Sequence, residues 1–188
     1  ESICHEFLER LVALTRTLKI GNQIDPTSEI GPLITAEHLK RVESFVQIGL
    51  QEGAKLLTGG KRPKEPSLAR GNFLEPTIFN RVKPSMRIFR EEIFGPVLCV
   101  VPFRTESEAI RIANDSEFGL SSSVWTKDKE KALRVATALE AGMVWINSHF
   151  VRDLRAPFGG VKNSGIGSEG GRYSLEFYTQ PKMICVAE

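Results

Sequence analysis

The first residues that could do chemistry form a short acidic and aromatic segment, residues 91–96 (EEIFGP). It stands directly before a continuously apolar run, residues 97–103, which predicts a buried strand. A carboxylate accepts strong hydrogen bonds from ribose hydroxyls, and the face of a phenylalanine packs on a flat heterocycle. The residues alone leave two interpretations open: a nucleotide-binding turn or an ordinary solvated loop.

A second candidate is the loop over residues 147–160, which follows directly after a predicted strand at 143–147. Ligands of open α/β sheets collect beyond the carboxyl ends of the strands, so we expect this loop and the acidic–aromatic segment to meet at one rim. Arg152 or Arg155 can hold a substrate carboxylate through paired hydrogen bonds. The alternative is that both arginines pair with surface acids such as Asp153.

A glycine-rich segment, residues 165–170, spells G-x-G-x-x-G. We reject a dinucleotide-binding fingerprint, because that motif needs a preceding strand, a following helix and an acidic residue about 20 positions later. A loop precedes the motif here, and too few residues follow Gly170. We interpret it instead as a glycine-rich turn that must pass close to another part of the molecule.

The three cysteines, Cys4, Cys99 and Cys185, are widely spaced and form no metal-binding pattern. Cys4 lies in the first turn of a predicted amphipathic helix, with no neighbouring glycine to let a substrate approach. We therefore expect neither a metal site nor a catalytic cysteine in this chain. Unpaired thiols are typical of a reducing compartment, which favours the cytoplasm.

Composition excludes several classes of protein. The chain has 188 residues and a formal net charge of +2, without a block of basic residues, so nucleic acid is not an expected partner. The longest apolar run, residues 97–103, falls far short of the roughly 20 residues that span a bilayer. A membrane is therefore not an expected partner either.

The elements that must position these residues alternate between helical and strand patterns. Helices are predicted to begin after Ser2, Thr35, Thr105 and Asp128. Strands are predicted over residues 55–58, 73–79, 97–103, 120–126, 143–147 and 183–187. The order β-α-β-α-β over residues 97–147 predicts an α/β protein with an open, mainly parallel sheet and helices on both faces.

Five motifs occur in the order seen in the NAD(P)-dependent aldehyde dehydrogenases, and the chain resembles that family over its whole length. They are residues 71–77 (GNFLEPT), 91–96 (EEIFGP), 119–126 (GLSSSVWT), 142–147 (GMVWIN) and 157–167 (PFGGVKNSGIG). The loop at 151–155 (VRDLR) is most similar to the branch that oxidises muconic-type semialdehydes, such as 5-carboxymethyl-2-hydroxymuconate semialdehyde.

The resemblance implies that the chain is the C-terminal part of such an enzyme. Residues 1–178 would form most of its catalytic domain, and residues 179–188 would begin the strand that joins a neighbouring subunit in a homodimer or homotetramer. The family's nucleophilic cysteine, general base and most of its cofactor domain would lie outside this chain. We therefore expect the chain alone to be inactive.

Site residues follow from the resemblance position by position. Glu92 matches the glutamate that binds the nicotinamide-side ribose, and Phe94 matches the phenylalanine beside the nicotinamide. Phe158 matches an aromatic residue that lines the aldehyde tunnel, and Arg152 stands where the muconic-type branch anchors the substrate carboxylate. Glu169 matches a glutamate that supports proton relay toward the general base.

The implied reaction is oxidation of an aldehyde to a carboxylic acid with NAD, or alternatively NADP. A cysteine thiolate attacks the aldehyde to form a thiohemiacetal, hydride leaves, and water hydrolyses the resulting thioester. Betaine-aldehyde and succinic-semialdehyde dehydrogenases of the same family are alternatives. An alternative from another class is a non-catalytic oligomerisation module.

Overall fold

A computed structural model describes residues 1–187, which divide into two compact units, Glu1–Arg104 and a second unit that begins at Thr105. Unit 1 contains the helices α1 (Cys4–Thr17), α2 (Ala36–Gln51) and α3 (Arg87–Arg90). Its strands are β1 (Lys55–Thr58), β2 (Thr77–Asn80) and β3 (Val97–Cys99). They form one sheet in the order β1-β2-β3, in which β2 pairs antiparallel with β1 and parallel with β3.

The core of unit 1 is formed where α2 packs against the sheet and α3. Helix α2 begins where predicted, because the Thr35 hydroxyl accepts a hydrogen bond from the His38 backbone N–H at 3.0 Å. The apolar face of α2 is buried against Phe79 of β2 and Ile88 of α3. Its buried members recur at helical spacing: Leu39, Val42, Phe45 and Val46.

Unit 2 contains the helices α4 (Glu106–Asn114), α5 (Lys129–Ala138) and α6 (Gly171–Tyr178). Its strands are β4 (Phe118–Gly119), β5 (Ser121–Val124), β6 (Met143–Ile146) and β7 (Val161–Lys162). Strands β5 and β6 are parallel and joined through α5, which packs against both, so this stretch is the predicted β-α-β unit. Strands β4 and β7 form a separate antiparallel pair.

The predicted capping residues of unit 2 are confirmed. The Thr105 hydroxyl accepts from the Glu108 N–H, and the Asp128 carboxylate accepts from the Lys131 N–H. In unit 1, by contrast, α1 begins after Ile3, without a side-chain cap, so the prediction of a Ser2 cap is wrong. In the described part of the chain, no helix combines the length and apolar character that crossing a membrane requires.

The single open parallel sheet of the prediction is not confirmed, since the strands form three small sheets. The apolar run at 97–103 forms a strand only over Val97–Cys99, where it pairs with β2, and Leu98 is 47% exposed. A continuous apolar run indicates burial but does not fix the length of a strand. The prediction of a buried seven-residue strand is therefore wrong.

The end of unit 2 also differs from prediction. The short strand β7 precedes the glycine-rich segment, and α6 follows that segment as a helix that the sequence pattern did not predict. The described residues 179–187 form neither helix nor strand, so the predicted strand over 183–187 is not confirmed. A strand needs hydrogen bonds to a second strand, and these residues have none within the described chain. Residue 188, the end of the predicted oligomerisation segment, lies outside the described residues.

One substitution tests how closely the 91–96 segment packs on α2. A Cβ atom at Gly95 would lie 2.8 and 2.9 Å from the two Cγ atoms of Val42, which is fully buried. Overpacking of this kind costs about 1–3 kcal/mol, so we expect Gly95→Ala to lower the free energy of unfolding by that amount in urea denaturation.

The matched control is Gly31→Ala, because nothing lies within 4 Å of a Cβ atom built at Gly31. We expect this variant to remain within about 0.5 kcal/mol of the parent. Equal free energies of unfolding for the two variants would contradict the tight contact between Gly95 and Val42.

Candidate functional site

Helix α2 holds the acidic–aromatic segment by three consecutive backbone carbonyls. Arg41 donates from Nη2 to the Glu92 oxygen at 2.6 Å and from Nη1 to the Ile93 oxygen at 2.7 Å. The next carbonyl, that of Phe94, lies 2.7 Å from Nε2 of His38, which can donate to it. Phe94 has a φ of 54°, in the left-handed region that non-glycine residues enter only when the surroundings hold them there. The segment is therefore a preformed turn on the surface of α2.

Because the main chain faces α2, two side chains of the turn point outward. Phe94 is 71% exposed, and Glu92 is exposed as well. Among residues 1–187, none forms a hydrogen bond or ion pair with the Glu92 carboxylate. The adjacent Glu91 carboxylate, in contrast, lies 2.5 Å from Nε of Arg87, and hydrogen bonds from Arg87 lower the pKa of Glu91. The structure thus distinguishes the two neighbouring carboxylates by their partners, which the residue types alone did not.

Two residues of this arrangement were missed by sequence reasoning. They are His38 and Arg41, and the residue patterns singled out neither of them. Both lie on α2 three positions apart, a spacing that places them on one face of the helix. That spacing was readable in the sequence, but the carbonyl groups that they contact lie some 50 residues away in the chain.

In unit 2, the arginine-bearing loop is fixed at its start by the strand ends. Asn147 has a φ of 50°, and its side-chain amide both accepts from the Thr126 N–H and donates to the Thr126 carbonyl. The Trp145 indole donates to the Val151 carbonyl at 2.7 Å. These bonds tie the loop that follows β6 to the end of β5 and to the indole of β6.

Three side chains that were predicted separately as site residues meet in this unit. Nη2 of Arg152 lies 2.6 Å from Oε1 of Glu169, and the Arg152 guanidinium carbon lies 4.3 Å from the centre of the Phe158 ring. Phe158 and Glu169 also form an isolated antiparallel bridge, with N–H to O distances of 2.7 and 2.8 Å in the two directions. We call these three residues the arginine cluster.

Glycines allow the main chain to close around the arginine cluster. Gly170 has a φ of 99°, and a Cβ atom there would lie 2.4 Å from the Ala156 carbonyl oxygen. A Cβ atom at Gly159 would lie 2.4 Å from the Gly167 carbonyl oxygen. These contacts are the close approach that the glycine-rich segment was expected to make.

Arg155 lies outside the arginine cluster. Its guanidinium contacts the carboxylate of Asp153, with Nη2 to Oδ2 at 2.6 Å, and hydrogen bonds from Arg155 lower the pKa of Asp153. The Arg155 side chain is 90% exposed. The pairing with a surface acid that was the alternative for both arginines therefore applies to Arg155, whose contact with substrate stays a prediction.

A cavity of about 290 Å³ lies beside the arginine cluster, within unit 2. Phe158 and Glu169 line it, together with the glycine-rich segment and the aromatic side chains of Phe177 and Tyr178. Its walls are mainly backbone and aromatic surface, with Glu169 as the charged group. Such a lining suits a small organic molecule with a limited number of polar atoms.

The environments of the cysteines differ. Burial raises the pKa of the Cys99 thiol to about 11, and its Sγ lies 3.4 Å from the Ile88 carbonyl oxygen, to which it can donate. Cys4 is half-buried in α1, and Cys185 is exposed beyond α6. Among the residues that the structure describes, no group of His, Cys, Asp or Glu side chains is arranged to hold a metal ion.

Comparisons with known proteins agree with the predicted family. The sequence profile of the aldehyde dehydrogenase family matches residues 1–184. The chain is 50% identical over 184 residues to a betaine aldehyde dehydrogenase of Bacillus subtilis, covering 98% of this chain and 38% of that protein. It is 48% identical over 179 residues to a 5-carboxymethyl-2-hydroxymuconate semialdehyde dehydrogenase of Escherichia coli, covering 93% of this chain and 37% of that protein.

Solved structures give the same picture. The chain superposes with a TM-score of 0.92 on betaine aldehyde dehydrogenase of Staphylococcus aureus in complex with NAD+, at 46% identity, covering 95% of this chain and 35% of that one. It superposes with a TM-score of 0.91 on HpcC of Thermus thermophilus, also at 46% identity, covering 100% of this chain and 39% of that one.

The chain thus spans less than two fifths of the length of these relatives. The fractions of the relatives that the chain covers do not bear out the expectation that it corresponds to their C-terminal part. The family itself is established by the extent of the profile match and by identities near one half. The chain belongs to the aldehyde dehydrogenase family.

Proposed function

We propose that this chain is part of an NAD-dependent enzyme that oxidises a carboxylate-bearing aldehyde, a muconic-type semialdehyde, to the corresponding acid. The observation that supports this substrate class is the position of Arg152, whose guanidinium lies over the ring of Phe158, a residue that lines the cavity. A guanidinium supported by an aromatic ring, with one N–H group bonded to Glu169, has further N–H groups that suit a carboxylate.

The cofactor part of the proposal rests on the turn that α2 holds. The Glu92 carboxylate and the Phe94 ring are both exposed on a rigid main chain, and they are the groups that ribose hydroxyls and a flat heterocycle need. These residues therefore fit a nicotinamide nucleotide. NAD, when bound, would accept hydride from the substrate, while Glu92 and Phe94 hold and orient it. NADP remains the alternative cofactor.

The charge of the substrate distinguishes the proposed semialdehyde from betaine aldehyde, one of the alternatives. Relatives named for betaine aldehyde and for hydroxymuconic semialdehydes are similar to this chain at 50% and 48% identity, so identity alone does not choose between them. Betaine aldehyde carries a quaternary ammonium group, which an arginine repels, whereas a semialdehyde carboxylate is attracted. Arg152 thus favours an acidic substrate, and succinic semialdehyde remains a second candidate on the same argument.

Assembly into a homodimer or homotetramer is also part of the proposal. The segment over residues 179–187 exposes Met183, Ile184 and Val186, which are side chains that usually become covered. A purely non-catalytic oligomerisation module would need this segment but would have no use for Glu92 or the arginine cluster. The substitutions described next therefore separate the two classes of function.

Replacing Arg152 tests the substrate class. In the full-length protein we expect Arg152→Ala to lower kcat/KM for succinic semialdehyde by about 10- to 150-fold, since a charge-assisted pair contributes roughly 1.5–3 kcal/mol. We expect little change for butanal, which has the same number of carbon atoms and no carboxylate. Steady-state NAD reduction measures both.

The control for this substitution is Arg172→Ala, which removes a guanidinium that pairs with Glu176 on the surface of α6 at 2.6 Å. It should leave the ratio of the two kcat/KM values unchanged. Equal losses for the acidic and the neutral aldehyde in Arg152→Ala would contradict the carboxylate-binding role.

Replacing Glu92 tests the cofactor turn. We expect Glu92→Gln to weaken NAD binding about 5- to 30-fold, because an amide accepts weaker hydrogen bonds from the ribose, a loss of about 1–2 kcal/mol. Glu91→Gln is the matched control: it makes the same chemical change one residue earlier, in a carboxylate that Arg87 already occupies. Calorimetric titration with NAD measures the dissociation constant of each variant. Similar affinities for the two variants would contradict a role for Glu92 in binding NAD.

The cysteines predict the behaviour of the 188-residue chain by itself. A thiol with a pKa of about 11 stays protonated at neutral pH, and only a thiolate attacks an aldehyde, so Cys99 is a poor nucleophile. Cys4 lies in helix α1, and Cys185 lies in a segment without secondary structure. We expect no NAD reduction above the no-protein blank with succinic semialdehyde. Turnover that iodoacetamide abolishes would show that one of the three cysteines is the nucleophile.

A further inference from the structure

We infer that Glu169 is an internal competitor for the substrate carboxylate at Arg152, and that it limits the enzyme's preference for acidic aldehydes. The inference rests on the proposed function, because it assigns a second role to a residue beside the proposed anchor. In this role Glu169 acts through Arg152 as a specificity-determining residue, separately from the proton relay that the family resemblance implies.

The contact between the two side chains is of a kind that a substrate can replace. It consists of one hydrogen bond, from Nη2 of Arg152 to Oε1 of Glu169 at 2.6 Å. The two side chains are 44% and 59% exposed, so water screens their attraction and reaches both. An arriving carboxylate offers Arg152 the same chemistry as the carboxylate that leaves.

The surrounding structure allows this exchange without moving the main chain. The backbone of Glu169 is fixed by its two hydrogen bonds with Phe158, and the following turn by a hydrogen bond from the Gly171 N–H to the Leu154 carbonyl at 2.9 Å. The Phe158 ring supports the guanidinium from one face. Rotation of the Glu169 side chain is therefore enough to free the Arg152 donor.

The contact between Arg152 and Glu169 affects the binding of acidic and of neutral aldehydes differently. A semialdehyde carboxylate must displace Glu169, so part of its attraction to Arg152 is offset by the pair that is lost. A neutral aldehyde makes no demand on Arg152 and leaves the pair intact. Removing the charge of Glu169 should therefore improve the binding of acids alone.

The test is Glu169→Gln in the full-length protein, a change that nearly preserves the side-chain shape. We expect the inhibition constant of succinate, an unreactive dicarboxylate, to fall about two- to five-fold, as the loss of a competing exposed ion pair allows. The ratio of kcat/KM for succinic semialdehyde to kcat/KM for butanal should rise similarly, because any effect on a step common to both aldehydes cancels in that ratio. Binding of succinate reports no proton transfer, so a loss of kcat does not affect this readout.

The matched control is Glu176→Gln, which removes a carboxylate of nearly equal exposure, 58%, from an ion pair of equal length, 2.6 Å, in the same unit. It should leave the succinate constant unchanged. A double variant gives the sharper test: if Glu169 acts through Arg152, then Glu169→Gln has no effect on succinate binding in an Arg152→Ala background.

Three results would overturn the inference. The first is an unchanged or weaker affinity of Glu169→Gln for succinate, with wild-type thermal stability. The second is an improvement that persists when Arg152 is absent. The third is an improvement in Asp153→Asn instead, which would identify Arg155 as the group that binds the carboxylate. If instead Arg152→Ala lowers kcat/KM equally for succinic semialdehyde and butanal, the proposed substrate class fails first, so the two failures are distinguishable.

Discussion

Both groups of candidate site residues depend on one constraint: a loop can present side chains outward only when its backbone polar groups are satisfied elsewhere. In unit 1, the side chains of Arg41 and His38 satisfy three successive carbonyls of the turn. In unit 2, the backbone N–H and carbonyl groups of Phe158 and Glu169 form hydrogen bonds with each other. Each set of hydrogen bonds fixes the main chain at a point where no long strand could do so. Each also leaves polar and aromatic side chains exposed nearby.

Charge pairing then decides which of several similar side chains remain available. Glu91 and Glu92 are adjacent and chemically identical, but Arg87 engages only the first. Arg152 and Arg155 are three residues apart, but Asp153 engages only the second. Arg152 itself pairs with Glu169, in a contact that joins the loop at 147–160 to the glycine-rich segment. The residue types alone would allow either carboxylate, or either arginine, to bind a ligand. The ion-pair partners of each side chain decide which one is available.

Local signals predicted the helices well and the sheets poorly. The caps at Thr35, Thr105 and Asp128 act within three residues of the positions that they satisfy, so the sequence contains all that is needed to recognise them. Strand length depends on the partner strand instead: the apolar run after Pro96 pairs over three residues only. Helix α6 was missed because it follows a glycine-rich segment, in which turn signals outweigh its short apolar pattern.

The sequence by itself determined the family, because five motifs in a fixed order identify it without coordinates. It also determined which residue types could bind a nucleotide or a carboxylate. Only the tertiary structure decided that Arg41 and His38 hold the turn and that Arg152, Phe158 and Glu169 form one cluster. The physical reason is range: caps and motifs act between near neighbours, whereas these contacts join residues 6 to more than 50 positions apart, wherever folding brings their charges and carbonyl groups together.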